Sequence, residues 1–109
     1  LERLEDLLNH YFADYHLISK GLPTVQFIAE ELNSSPNYLS RILKTLSGQS
    51  TQQFIHEKLI EKAKEKLSST DLTINEIAYY LGFEHPQSFN KLFKQKTKQT
   101  PLEFRRAFD

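Results

Sequence analysis

The sequence predicts an all-α fold of about seven helices, two helix-turn-helix subdomains joined by a long linking helix. Three observations predict it. A segment of the chain recurs about fifty residues downstream, which marks two copies of one supersecondary unit. Apolar residues fall at helical spacing through both copies. Capping residues, prolines and glycines punctuate the copies at matching places.

The repeat is explicit in the residues. Thr24-Val25-Gln26-Phe27-Ile28-Ala29-Glu30-Glu31-Leu32 aligns with Thr73-Ile74-Asn75-Glu76-Ile77-Ala78-Tyr79-Tyr80-Leu81 at an offset of 49. After one extra residue the offset becomes 50, pairing Pro36 with Pro86, Leu39 with Phe89, Arg41 with Lys91, Ile42 with Leu92, Leu43 with Phe93, Lys44 with Lys94, Gln49 with Gln99 and Phe54 with Phe104. A solenoid generally needs three or more repeats, so a paired module is expected.

In chain order, Leu1, Leu4, Leu7, Leu8, Tyr11, Phe12 and Tyr15 suit an amphipathic helix to about Ser19, before Gly21 and Pro23. Thr24 caps a helix over about 25–32 with Val25, Ile28, Ala29 and Leu32 on one face, and Asn33-Ser34-Ser35 breaks it. Ser35 as N-cap and Pro36 as first helical residue open a helix to about Ser47, ended by Gly48, with Leu39, Ile42, Leu43 and Leu46 as its apolar face. Ser50 with Gln53 starts the linking helix, about 51–67, whose stripe of Phe54, Ile55, Leu59, Ala63 and Leu67 makes it a rigid strut between the copies. Thr73 and Glu76 form a capping box for a helix over about 74–81, with Ile74, Ile77, Ala78 and Leu81 inward. Gly82-Phe83-Glu84 is the turn. Pro86 then opens a long helix that buries Phe89, Leu92 and Phe93 and exposes Gln87, Asn90, Lys91 and Lys94. Thr100 with Glu103, and Pro101 at the first helical position, start a short closing helix.

A chain of 109 residues, 39% of them hydrophobic, can bury roughly two-thirds of its unfolded surface, enough for a self-sufficient core. The eight Phe and five Tyr recur at helical spacing and read as core packing. The absence of Cys excludes a disulfide framework, a thiolate zinc site and a cysteine nucleophile, and fits a reducing compartment, so the cytoplasm is expected. His10, His16, His56 and His85 lack zinc-ligand spacing, and no Gly-rich phosphate loop, nucleophile elbow or paired-carboxylate pattern is present. No metal, cofactor or catalytic site is expected. No apolar run approaches the ~18–20 residues of a membrane span, and no charged-then-apolar leader opens the chain. A first residue other than Met suggests an excised fragment.

The formal net charge is zero, which weighs against nucleic-acid binding, but the charges are unevenly placed. Residues 1–33 carry six acids against two bases, and residues 34–109 carry twelve bases against eight acids. Arg41 and Lys44 are the charges within 34–50, and Lys91, Lys94, Lys96 and Lys98 those within 85–102, with no acid in either stretch. Purely basic stretches of this kind suit phosphate-facing surfaces. Three function classes stay open on the residues: sequence-specific DNA binding, a helical protein-interaction module favoured by the zero net charge and the acidic first helix, and a small hydrolytic or metal-dependent enzyme supported by scattered His and carboxylates.

The residues over about 22–108 resemble the double helix-turn-helix domain of the AraC/XylS family of bacterial transcription regulators. The resemblance is carried by Ile28-Ala29, Leu32 and Ser35-Pro36-Asn37-Tyr38-Leu39-Ser40-Arg41 in the first half. In the second half Glu76-Ile77-Ala78, Leu81-Gly82-Phe83, Phe89, Phe93-Lys94, Thr100-Pro101 and Phe104-Arg105 form the more specific signature. Three positions depart from the family pattern. Lys98 stands where Gly is usual, which predicts a differently shaped or extended helix end. Leu59 replaces an Arg on the linking helix, and His85 occupies a cap position often filled by Asp or Ser.

The resemblance implies one DNA-binding domain: a leading helix (1–21), a first helix-turn-helix (22–50), a linking helix (51–70), and a second helix-turn-helix with a closing helix (71–109). In such units the second helix enters the major groove. Asn37, Ser40 and Arg41 in the first unit and Gln87, Asn90 and Lys91 in the second are expected to read bases, because Arg and Lys suit guanine and Asn and Gln suit adenine. Ser35, Tyr38 and Lys44, and His85, Ser88 and Lys94, are expected on phosphate. The two units would occupy successive major grooves, and a rigid connection would require DNA to bend at a cost of order 1–6 kcal/mol. The resemblance further implies RNA polymerase as a partner of the full regulator and a monomeric isolated fragment, and leaves a dimeric full-length protein open.

Overall fold

The computed structural model describes residues 2–13 and 21–108. Among these lie seven helices and no strand: α1 (Glu2–Ala13), α2 (Val25–Glu31), α3 (Pro36–Ser47), α4 (Thr51–Ser69), α5 (Ile74–Tyr80), α6 (Pro86–Thr97) and α7 (Pro101–Arg106). The expected continuation of the first helix to Ser19 lies outside the described residues.

The repeat in the sequence is also a repeat of hydrogen bonds. Thr24 Oγ1 accepts from the Phe27 N–H and Thr73 Oγ1 from the Glu76 N–H, each at 3.0 Å. Both short helices close with a six-residue bond, Ser34 N–H to Ala29 O at 2.8 Å and Phe83 N–H to Ala78 O at 3.0 Å, around a left-handed residue. That residue is Asn33 (φ 53°) in one copy and Gly82 (φ 100°) in the other. α4 and α7 start with capping boxes, Ser50 with Gln53 and Thr100 with Glu103.

The ends of α3 and α6 match as well, which corrects the expectation for Lys98. It takes the left-handed turn itself (φ 68°, ψ 8°), as Gly48 does (φ 75°, ψ 1°), and α6 neither extends nor ends differently. Local hydrogen bonds hold the residue there. Lys98 N–H donates to Lys94 O at 2.8 Å, Thr97 Oγ1 donates to Phe93 O at 2.8 Å and accepts from Gln99 N–H at 3.2 Å. Ser47 makes the same pair of bonds in the first copy.

Two apolar clusters form the interior. The first gathers Leu4, Leu8, Ile28, Ala29, Leu39, Leu43 and Ile55. The second gathers Tyr11, Leu59, Ile60, Ala63, Leu67, Ile77, Ala78, Leu81, Phe83, Phe89 and Phe93. α4 supplies Ile55 to one and Leu59, Ile60, Ala63 and Leu67 to the other, and touches α1, α3, α5 and α7, so it is the strut the periodicity predicts. Leu59, where family members place Arg, is fully buried. The second core is aromatic: Phe83, Phe89, Phe93 and the half-buried Phe104 follow one another with ring centroids 5.4–5.9 Å apart, and the exposed Phe108 continues the row at 5.1 Å. Burying a Phe contributes about 1.5–3 kcal/mol, so this column anchors α6 firmly.

One predicted face is not covered. Ile42 is 38% exposed and Leu46 61%, although both were expected inward with Leu39 and Leu43. The helices packed on α3 reach its Leu39–Leu43 ridge and stop short of the next flank. In the second copy Leu92 packs against the core, and Lys96 stands at the counterpart of Leu46.

Candidate nucleic-acid interface

Burial of one ridge decides what each long helix shows to solvent. With Leu39 and Leu43 inward, 3.6 residues per turn carries Asn37, Arg41 and Thr45 to the opposite side of α3, with Lys44 beside them. With Phe89 and Phe93 inward, α6 shows Gln87, Lys91 and Gln95, with Lys94 beside them. All eight side chains are exposed. Thr45 and Gln95 are not among the residues expected from the sequence, whose base readers stop one turn earlier; their spacing of four from Arg41 and Lys91 was the available signal.

The remaining candidates have more to do within the fold. Ser40 is half-buried and its hydroxyl lies 3.2 Å from that of Thr51, the first residue of α4, so it is turned toward the linking helix. Asn90 is equally half-buried, but Pro101 stands where Thr51 would be, leaving no matching hydroxyl on that helix. Ser35 Oγ caps α3 by accepting from the Tyr38 N–H at 3.1 Å, while the Tyr38 ring is 54% exposed on the flank beside Ile42. His85 makes no side-chain cap bond and sits 3.9 Å from the Glu84 carboxylate. Ser88 is exposed in the first turn of α6. Lys44 Nζ donates to Gly48 O at 3.1 Å, where a cation is favoured by the helix C-terminus.

The lysines of α4 are engaged inside the domain. Lys58 and Lys62 lie 3.4 and 3.6 Å from Glu61 and Glu65, and Lys64 and Lys66 sit over the rings of Phe104 and Tyr80. The positive charge of the outward surface therefore comes from Arg41 and Lys44 on α3 and from Lys91, Lys94 and Lys96 on α6, with Lys98 at its end. Between the ends of α3 and α6, α4 floors a cleft of about 540 Å³ with Glu57, Glu61 and Lys64, and Lys96 of α6 also lines it. Nearby, burial and then the Lys96 charge lower the pKa of His56, keeping the ring neutral further into acid.

At the far end of α4, Arg105 reaches from α7 to main-chain carbonyls. Its Nε donates to Leu67 O at 3.0 Å, one Nη to Thr70 O at 3.2 Å and the other to Leu72 O. These are orphan acceptors of a helix end and the loop that leaves it, so the guanidinium ties the strut to the second unit. Among the described residues no three His, Asp or Glu side chains come together as a metal site, and no helix is long and apolar enough to cross a membrane.

Residues 28–107 match the profile of a family described as a helix-turn-helix domain. The xylose operon regulatory protein of Haemophilus influenzae is 35% identical over 78 residues, covering 72% of this chain and 20% of its own length. The C-terminal domain of the two-component response regulator yesN from Fusobacterium nucleatum subsp. nucleatum superposes with a TM-score of 0.79 at 31% identity, over 95% of each chain. The DNA-binding domain of AdpA, a global transcriptional factor solved in complex with a target DNA, superposes at 0.78 with 20% identity over 96% of this chain and 91% of that one, a likeness of fold. The chain spans well under half the length of the curated relatives it matches.

Proposed function

Because this chain belongs to the AraC-type helix-turn-helix family of transcription-regulator DNA-binding domains, we propose that it reads double-stranded DNA with α3 and α6, each laid in one of two successive major grooves. The observation that carries the reading is the duplicated outward row: Asn37 and Arg41 on α3 and Gln87 and Lys91 on α6, exposed at matching positions on helices braced by separate apolar clusters. Arg41 supplies a fork suited to guanine, Asn37 and Gln87 suit adenine, and Lys91 takes guanine or phosphate. Asn90 and Ser40 flank these rows, with Ser40 the weaker reader because of its bond to Thr51. Ser35, Tyr38, Lys44, His85, Ser88 and Lys94 would contact phosphate, with Lys44 leaving the Gly48 carbonyl to do so. The domain is 42 Å in its longest dimension, a size that matches the about 34 Å between successive groove faces which the two readers would have to reach.

The divisions at 1–21, 22–50, 51–70 and 71–109 are accordingly functional ones: a leading helix, two readers and the strut between them. In the full regulator the domain would work in the cytoplasm alongside RNA polymerase, without catalysis of its own; the isolated domain would be a monomer, and partner domains would decide whether the regulator dimerises.

Selection of bound duplexes from a randomised library, at low and moderate salt, tests the reading. A site with two half-motifs is expected. Arg41→Ala should relax one half and Gln87→Ala or Lys91→Ala the other, each costing about 1–3 kcal/mol at its own position. Binding that is salt-sensitive but indifferent to sequence would refute specific reading by this chain.

A further inference from the structure

The first helix belongs to both cores. Leu4 and Leu8 are buried in the first cluster, and Tyr11, one turn later and 4% exposed, is buried in the second. The Tyr11 hydroxyl donates to the Gly21 carbonyl at 2.7 Å, and its ring meets Phe27 of α2 edge-on at 5.4 Å. Gly21 in turn abuts the turn of the second unit. A Cβ placed on Gly82 would lie 2.8 Å from Gly21 C and 2.9 Å from Gly21 O, so the two main chains touch where no side chain fits. Gly82 closes the turn that follows α5, and Pro86, just beyond it, opens α6.

A single helical strut fixes how far apart two bodies lie but resists rotation about its own axis weakly. α4 is that strut. The contacts running from Tyr11 through Gly21 to Gly82 form a second tie, off the axis of α4, between the first unit and the loop that aims α6. We propose that Tyr11 is a positioning residue for DNA recognition, which holds α6 at a fixed rotation relative to α3 and thereby sets the spacer length the chain accepts between its two half-sites. The proposal rests on the two-reader function above. One base pair of spacer moves a half-site by about 3.4 Å and turns it by about 35°, so spacer length reports directly on rotation between the units.

The test uses the whole chain and the bipartite site from the selection, with its spacer left alone or changed by one base pair either way. Tyr11→Phe keeps the ring and removes the donor. It is expected to bind duplexes carrying one half-motif as the unaltered chain does, while its penalty for a changed spacer shrinks about two- to tenfold, the factor set by one hydrogen bond. Phe27→Leu loosens the same packing but keeps the hydroxyl bond, and is expected to retain the full spacer penalty. A Tyr11→Phe protein with an undiminished penalty overturns the proposal, as does an equal relaxation in Phe27→Leu, which would assign the effect to loosened packing. An unaltered chain indifferent to spacer length would instead bring down the two-reader function, and this proposal with it.

Discussion

The two equivalent helix ends offer an internal control for a stability prediction. Gly48 and Lys98 occupy the same left-handed turn, at φ 75° and 68°. A residue with a Cβ pays about 1–2 kcal/mol in that conformation, and Gly returns part of the difference by being freer when unfolded, about 0.4–1 kcal/mol. Lys98→Gly should therefore stabilise the domain by about 0.5–1 kcal/mol. Gly48→Ala should destabilise it by a similar amount, because a Cβ at Gly48 meets nothing within 4 Å and the effect there is purely conformational. For a domain near this size 1 kcal/mol corresponds to about 4 °C in Tm, so the two variants should straddle the unaltered chain in thermal melts followed by circular dichroism. Urea titration at constant m-value would give the free energies. Should Lys98→Gly leave stability unchanged while Gly48→Ala lowers it, the Lys98 side chain would be contributing something the turn geometry does not contain, and the argument from backbone strain would be wrong.

Two further outcomes are expected. Arg105→Ala strips the partner from Leu67, Thr70 and Leu72 carbonyls and should cost about 1.5–3 kcal/mol in urea unfolding, with Arg105→Lys recovering only part because an ammonium lacks the fork; full recovery by Lys would refute the forked contact. The carboxyls of Glu76 and Glu103 are held below the ordinary 4.5 by hydrogen bonds from the Thr73 and Thr100 main chain. A carboxylate with a depressed folded pKa contributes stability above its ordinary value and loses it as pH falls through the folded one. Combining Glu76→Gln and Glu103→Gln should flatten the decline in stability between about pH 6 and 3, and an unchanged slope would assign acid sensitivity elsewhere.

Much of the candidate surface was legible because it depends on local rules. Gln87 and Lys91 could be placed outward once Phe89 and Phe93 were read as inward, and the same holds for Asn37 and Arg41 against Leu39 and Leu43. Ser40 was read as outward on the same grounds, yet it leans on Thr51, eleven residues away on another helix. Lys64 and Lys66 sit in a mixed charge run whose pattern does not reveal their partners; the tertiary fold puts aromatic rings from α7 and α5 under them.

Local pattern in the chain was enough to set the order, type and starts of the described helices from α2 onward. Caps such as Thr73 with Glu76, the proline starts and the inward ridges act within one or two helical turns, and their physics is complete in a short stretch of chain. Tertiary structure alone decided which faces found cover. Ile42 and Leu46 carry the right period for burial and remain exposed, Ile42 in a cleft shared with Arg3 and Leu4 of α1 and Leu46 outside it. It also decided the ties that cross the chain: Arg105 to carbonyls more than thirty residues earlier, and Tyr11 to the glycine that meets Gly82. Those contacts depend on how close two distant segments come, a distance set by the packing of the whole core and carried by no local pattern.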